Sequence, residues 1–202
     1  MTQASYERRR QRAQQRFPGK YQPNGHSSGA GQQSDEETYE AARQIVLRQL
    51  TASAKSRRQL EDKLADCNIP ETVSVAVLDR FEQVGLVDDA AFAQAFVRSR
   101  SETRMVARPA LRRDLQAKGI APDLIEQALE QRTDDEERQD ALTLVRRKMP
   151  TEPYLSQQLT QRAQRDRLTR RLVSMLARKG YAPGAAYDAV KQVLNENTEE
   201  RM

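Results

Sequence analysis

A short motif recurs along this chain and constrains its fold more than any other feature. It reads Lys-Gly-Ile-Ala-Pro at residues 118–122 and Lys-Gly-Tyr-Ala-Pro at residues 179–183, and a weaker copy, Asn-Ile-Pro, stands at residues 68–70. Glycine or asparagine suits the left-handed residue that ends a helix, and proline suits the start of the next helix. Because each copy follows a pair of leucines and precedes a new helical pattern, we predict that it joins two helices of a repeated unit.

The motif also sets the register of three tandem units. Gly180 lies further from Gly119 than Gly119 lies from Asn68, so the third unit carries an insertion, at residues 149–165, in the region of its middle helix. Apolar residues recur at helical spacing throughout, and we find no strand pattern. We therefore predict an all-α fold, an elongated and curved array of three-helix, helix-turn-helix-like repeats. The predicted repeats span residues 35–86, 87–133 and 134–202.

The first 34 residues differ from the rest in composition and charge. They are polar and rich in Gly, Ser and Pro, which predicts a disordered tail at residues 1–34. The chain has a formal net charge of +5. The tail accounts for this excess, because its arginines and one lysine are opposed only by Glu7. The basic isoelectric point therefore does not make the folded body a nucleic-acid binder.

Residues that commonly carry catalysis are scarce. His26 lies in the tail, and Cys67, the single cysteine, cannot form an internal disulfide, which favours a reducing cytoplasm. Asp88 and Asp89 precede a helical pattern and fit helix capping better than metal binding or acid–base chemistry. No apolar stretch is long enough for a membrane span or a secretory signal. We predict a cytoplasmic protein that is not an enzyme, with no catalytic, cofactor-binding or metal-binding residues.

Basic residues concentrate on the predicted middle helix of each unit. One interpretation is a solvated helix face, and the other is a repeated basic ridge that contacts an acidic partner or nucleic-acid phosphates. An acidic run at residues 134–140 is part of the face that balances the ridge. A helix-turn-helix protein that reads duplex DNA directly is the alternative, although no recognition helix is distinguished. The candidate contact residues are Arg57, Arg58, Arg98, Arg100, Arg108, Arg112, Arg113, Lys118, Arg167, Arg170, Arg171, Arg178 and Lys179.

The order of the motifs resembles the RecX family, whose members modulate the RecA recombinase. Residues 55–60, Lys-Ser-Arg-Arg-Gln-Leu, resemble the family's Arg-Ser-x-x-Glu-Leu signature. The most specific match is Gly-Leu-Val-Asp-Asp-Ala-Ala-Phe-Ala at residues 85–93. Leu-Gln-Ala-Lys-Gly-Ile at residues 115–120 and Leu-Ala-Arg-Lys-Gly-Tyr at residues 176–181 follow in family order. The resemblance covers roughly residues 39–195.

The chain departs from the family pattern in a few places. Asn68 and Gln59 stand where the family commonly has glycine and glutamate, and a glycine is missing around Ala107. The resemblance implies a monomer that needs no cofactor and binds in the groove of the RecA–single-stranded DNA filament. There it would inhibit the recombinase, ATPase and co-protease activities of RecA. The basic tail is expected to add weak, non-specific affinity for single-stranded DNA, and no membrane partner is expected.

Overall fold

The structure is a computed structural model that describes residues 30–150 and 162–199. Within these ranges every regular element is an α-helix, and the helices form three consecutive triplets. The predicted all-α fold of three-helix repeats is thereby confirmed. The helices are α1 (Ala30–Ala52), α2 (Arg57–Asp66), α3 (Glu71–Gln83), α4 (Asp89–Arg104), α5 (Arg108–Ala117), α6 (Pro122–Leu129), α7 (Asp134–Lys148), α8 (Arg162–Arg178) and α9 (Pro183–Glu199).

The first helix begins at Ala30, before the residue Asp35 at which the sequence placed the start of the folded body. Residues 30–34 of the predicted tail are therefore part of this helix. The prediction of disorder for residues 1–29 lies outside the described residues. Most of the predicted insertion, residues 151–161, also lies outside them.

The chain divides between Phe92 and Ala93 into two compact units. In the first unit, α1, α2 and α3 close around one apolar core that includes Val46, Leu64 and Leu78, each with no exposed surface. In the second unit, α7, α8 and α9 supply the larger cluster of buried aliphatic side chains. The second and third triplets share this unit, apart from the first residues of α4.

Side-chain caps fix the starts of several helices, as the sequence predicted for α2. The Ser56 hydroxyl accepts a hydrogen bond from the Gln59 amide at 3.3 Å, and the Gln59 side chain accepts one from the Ser56 amide at 3.2 Å. Asp88 caps α4 by accepting from the Ala91 amide at 2.8 Å. Asp89 does not cap α4: its carboxylate accepts from the Arg57 amide at 2.8 Å and so caps α2. Both aspartates therefore cap a helix, as the sequence indicated, although Asp89 caps the middle helix of the preceding triplet.

The repeated motif forms the joint between the second and third helix of each triplet. Its key residues Asn68, Gly119 and Gly180 all have left-handed backbones, with φ of 59°, 79° and 91°. In each joint the next amide reaches back across the turn to a leucine carbonyl, which is the Schellman arrangement. These bonds run from Ile69 to Leu64 (3.1 Å), from Ile120 to Leu115 (3.2 Å) and from Tyr181 to Leu176 (3.2 Å). The interpretation of the motif as a helix joint is confirmed.

The joint of the third triplet packs on the connection between α4 and α5, within the second unit. The Ala107 amide donates to the Lys179 carbonyl at 3.0 Å, and the Tyr181 hydroxyl donates to the Met105 carbonyl at 3.0 Å. Met105 has φ of 50°, a left-handed conformation that a non-glycine residue seldom adopts. A missing glycine around Ala107 was the sequence signal for this irregular turn. The two hydrogen bonds hold the connection against the joint.

Candidate nucleic-acid and partner interface

Arg57, at the start of α2, is committed to carboxylates of its own chain. Its guanidinium lies 3.1 Å from Glu61, 2.7 Å from Asp79 and 2.5 Å from Glu82. Burial lowers the pKa of Arg57, but hydrogen bonds to Asp79 and Glu61 outweigh it and raise the pKa overall. A partner that binds this guanidinium must first displace these carboxylates.

Arg108, at the start of α5, is also committed to carboxylates of its own chain, but these lie on α7, the first helix of the next triplet. Its Nε atom lies 3.0 Å from Glu137, a terminal nitrogen contacts Asp134, and its amide donates to Glu137 at 3.2 Å. The first helix of the following triplet thus caps the middle helix before it, as Asp89 does for Arg57. The Arg108 side chain therefore joins two consecutive triplets, whereas the Arg57 side chain binds within its own triplet.

Two further candidates on these middle helices also contact acids. Arg112 makes a bidentate pair with Glu126, with both nitrogen–oxygen distances at 2.7 Å. Arg58 lies 3.4 Å from Asp62 on an exposed surface, where an ion pair contributes little stability. Their positive charges are therefore partly neutralised within the chain, Arg112 more firmly than Arg58.

Most acidic side chains of residues 134–140 also pair with groups of the same chain. Asp134 and Glu137 hold Arg108, and Asp140 lies 2.9 Å from Arg132. Glu136 completes a capping box with Thr133. These carboxylates organise the second unit, so only part of the run is open to a partner.

Phe96 brings together two candidates that are distant in the sequence. The Arg100 guanidinium lies 5.1 Å from the centre of the Phe96 ring, and the Lys118 ammonium lies 5.4 Å from it. Cations at such distances are attracted by the negative face of the ring. The sequence pattern gave no indication of this contact. The candidates Arg98 and Arg113 are both exposed. The Arg113 side chain donates to the Pro109 carbonyl at 3.3 Å.

The middle helix of the third triplet, α8, differs from α2 and α5. Leu168, Leu172 and Leu176 are buried and fix its inner face. The four candidate arginines of α8 lie exposed on the rest of its surface, and none of them pairs with a carboxylate within the part of the chain that the structure describes. Arg170 donates to the backbone carbonyl of Asp166 at 3.3 Å. The four are Arg167, Arg170, Arg171 and Arg178, and Arg162 at the start of the helix is exposed as well.

Lys179, next to α8, is the half-buried member of the candidate set. Its ammonium donates to the carbonyl of Arg104 at the end of α4. The basic ridge predicted from the sequence is therefore uneven. In α2 and α5 many of its charges meet acids of the same chain, whereas in α8 they face solvent.

Residues 30–150 and 162–199 contain neither a membrane-spanning helix nor a cluster of metal ligands. No helix in these ranges combines the length and apolar character needed to cross a membrane. The same ranges contain no group of three histidine, cysteine or acidic side chains placed to hold a metal ion.

Comparisons with family models and curated proteins agree with the helix triplets. Residues 42–81 match the model described as "RecX, first three-helix domain", and residues 88–129 match "RecX, second three-helix domain". A protein of Streptomyces lividans named "Regulatory protein RecX" is 45% identical over 161 residues, which are 80% of this chain and 81% of that protein. A protein of Thermobifida fusca with the same name is 40% identical over 164 residues, 81% of this chain and 84% of its own.

Solved structures share the fold at lower identity. One, described as "Crystal structure of regulatory protein RecX", superposes with a TM-score of 0.65 at 20% identity and covers 90% of this chain and 85% of its own. A second, from Lactobacillus salivarius, gives a TM-score of 0.58 at 21% identity and covers 79% of this chain and 96% of its own. At these identities the likeness concerns the fold.

Proposed function

The chain belongs to the RecX family, and on that premise we propose that it is a regulator of the RecA recombinase. Its curated relatives carry the name "Regulatory protein RecX", and the similarity extends over most of their length and most of this chain. In this proposal the protein is not an enzyme, requires no cofactor and acts as a cytoplasmic monomer. The partner is the RecA filament on single-stranded DNA.

We further propose that the protein binds in the groove of that filament and inhibits the recombinase, ATPase and co-protease activities of RecA. The observation that carries this proposal is the exposed arginine surface of α8, with Arg167, Arg170 and Arg171 unpaired with carboxylates in the described part of the chain. Exposed guanidinium groups bind phosphates and carboxylates bidentately, so this helix suits a groove that presents both DNA and protein. Of the paired arginines on α2 and α5, Arg57 and Arg112 bind acids of their own triplets, and Arg108 binds acids of the next triplet.

The test measures ATP hydrolysis by RecA on single-stranded DNA with increasing amounts of the protein. The parent chain should slow hydrolysis at amounts comparable to RecA, and the double variant Arg170→Ser, Arg171→Ser should need roughly tenfold more protein, because two phosphate contacts are lost. The matched control is Arg48→Ser, Lys191→Ser, which removes the same charge from exposed positions on α1 and α9. Unchanged hydrolysis with the parent would refute the proposal.

Two further experiments test the contribution of the tail and the alternative of direct binding to duplex DNA. Removal of residues 1–29, which precede α1, should weaken salt-sensitive binding to single-stranded DNA while inhibition of RecA persists. An equal loss of both would assign the inhibitory contact to the tail. A selection on random duplex DNA should yield no reproducible sequence, and enrichment of one would favour the helix-turn-helix alternative.

A further inference from the structure

Three chain segments of the second unit end beside one another. Helix α4 ends at Arg104, helix α7 ends at Lys148, and the third joint begins at Lys179. An apolar residue follows each of these ends closely, and all three apolar residues pack against the same core. They are Met105, Met149 and Tyr181. Because these anchors share a core, the charged residues that precede them are held near each other.

The terminal residue at each of these ends is a cation: Arg104, Lys148 and Lys179. The Lys179 ammonium donates to the Arg104 carbonyl, which fixes it at the end of α4. Burial lowers the pKa of Lys179, and the nearby charges of Arg104, Arg147 and Lys148 lower it further. Within the described residues, none of these side chains pairs with a carboxylate. We call this group the joint cluster, and its members are Arg104, Arg147, Lys148 and Lys179.

Compensation of helix dipoles does not account for the joint cluster. A basic residue in a last turn is stabilised by the carbonyl end of its own helix, which explains one charge at each end. It does not explain why cations from three segments are held where they lower the pKa of Lys179. An anion bound among them would relieve this repulsion. The convergence of cations from three segments therefore suits a negatively charged ligand.

We propose that the joint cluster binds neighbouring backbone phosphates of single-stranded DNA. Guanidinium forks bind phosphate oxygens bidentately, and ammonium groups bind them as point charges. Interfaces with nucleic acid are strongly positive, whereas the centres of protein interfaces are apolar and depleted of lysine. The exposed cations Arg104, Arg147 and Lys148 therefore fit an interface with nucleic acid.

This inference deepens the proposed contact with DNA by giving the folded body a site separate from the basic tail. It rests on the proposed function only for its biological setting, because binding to DNA alone can be measured without RecA. A failure of RecA inhibition would therefore leave it untouched, and its own failure would leave the family-based proposal standing.

The experiment measures the affinity of the full chain for a fluorescein-labelled oligothymidylate by fluorescence anisotropy at several salt concentrations. The variant Arg147→Ser, Lys148→Ser removes two exposed cations from the end of α7. The slope of log affinity against log salt should flatten by about 1.4, since each contact with a single strand contributes about 0.7. Affinity should fall roughly 25-fold near 0.1 M salt relative to the parent.

The charge-matched control is again Arg48→Ser, Lys191→Ser, and thermal melts establish that both variants fold. Flattening confined to the α7 variant supports the site. The proposal is overturned if the variant keeps the parent slope and affinity, or if the control loses as much. It is also overturned if the α7 variant binds the oligonucleotide normally but no longer inhibits RecA, since the joint cluster would then contact protein.

Discussion

Replacing Gly180 by alanine should destabilise the second unit much more than the same change at Gly85 destabilises the first. Both glycines have left-handed backbones, with φ of 91° and 71°. A Cβ atom added at Gly180 would lie 2.5 Å from the Ala110 Cβ atom and 2.8 Å from the Ala110 nitrogen. A Cβ atom at Gly85 would meet nothing within 4 Å. Comparing the two variants therefore separates the energetic cost of a left-handed alanine from the cost of a steric overlap.

The magnitudes follow from these contacts. A left-handed alanine costs about 1 kcal/mol, which is the whole effect expected at Gly85. At Gly180 the overlap with α5 adds the cost of overpacking, about 2 kcal/mol, because one of the atoms contacted belongs to the backbone and cannot rotate away. Gly180→Ala should thus lower the free energy of unfolding by about 3 kcal/mol.

Urea unfolding followed by circular dichroism measures both variants. The cycle of Gly180→Ala with Ala110→Gly tests the cause, since the second change removes the Cβ atom at 2.5 Å and leaves the nitrogen at 2.8 Å. We expect partial rescue, with a favourable coupling energy between the two positions. If Gly180→Ala costs no more than Gly85→Ala, then Gly180 serves only its backbone conformation and the inferred contact with Ala110 is wrong.

Three other substitutions test further features. Asn68→Ala should lower the free energy of unfolding by about 1 kcal/mol because alanine resists a left-handed backbone, whereas Asn68→Gly should change it by less, both measured by urea unfolding. Ser56→Ala removes the cap of α2 and should cost about 1 kcal/mol in the same assay. Arg112 holds the pKa of Glu126 below its ordinary value by hydrogen bonding, so this pair stabilises the fold at neutral pH and ceases to do so as the pH falls through the lowered value. Glu126→Gln should therefore melt below the parent at pH 7 and converge with it in acid.

Each of these three predictions has an outcome that would contradict it. Equal stability of Asn68→Ala and the parent would contradict the left-handed joint. Stability of Ser56→Ala equal to that of the parent would show that the α2 cap contributes nothing. A constant gap in melting temperature between Glu126→Gln and the parent from neutral to acid pH would exclude a depressed pKa.

The helix joints could be predicted from the sequence because their causes are local. A glycine or asparagine shortly before a proline that opens a helix is compatible with few backbone conformations. The register of Asn68 with Gly119 and Gly180 is visible in the sequence, and all three residues have left-handed backbones. The cap of α2 was likewise visible in the spacing of Ser56 and Gln59. Where neighbouring residues decide the outcome, the sequence pattern was sufficient.

Which charged side chains pair within the chain and which face solvent could not be predicted in this way. Whether Arg57 faces solvent depends on Asp79 and Glu82, which meet it only after α3 has folded back on α2. Similarly, no sequence pattern distinguishes Arg147 and Lys148, which follow the acidic start of α7. Their nearness to Lys179 follows from packing of α7 against α8 and α9 within the third triplet. Such contacts are long-range and leave no periodic signal.

The hydrogen-bonded joint also determines where this chain can gain or lose residues. The third triplet has a longer approach to its middle helix than the second, yet Tyr181 reaches back to Leu176 as Ile120 does to Leu115. Length is thus free to vary ahead of α8, while the direction in which α9 leaves α8 stays the same. A reporter peptide placed between α7 and α8 should be tolerated, whereas one extra residue inside residues 176–181 would rotate every side chain of α9 away from its core.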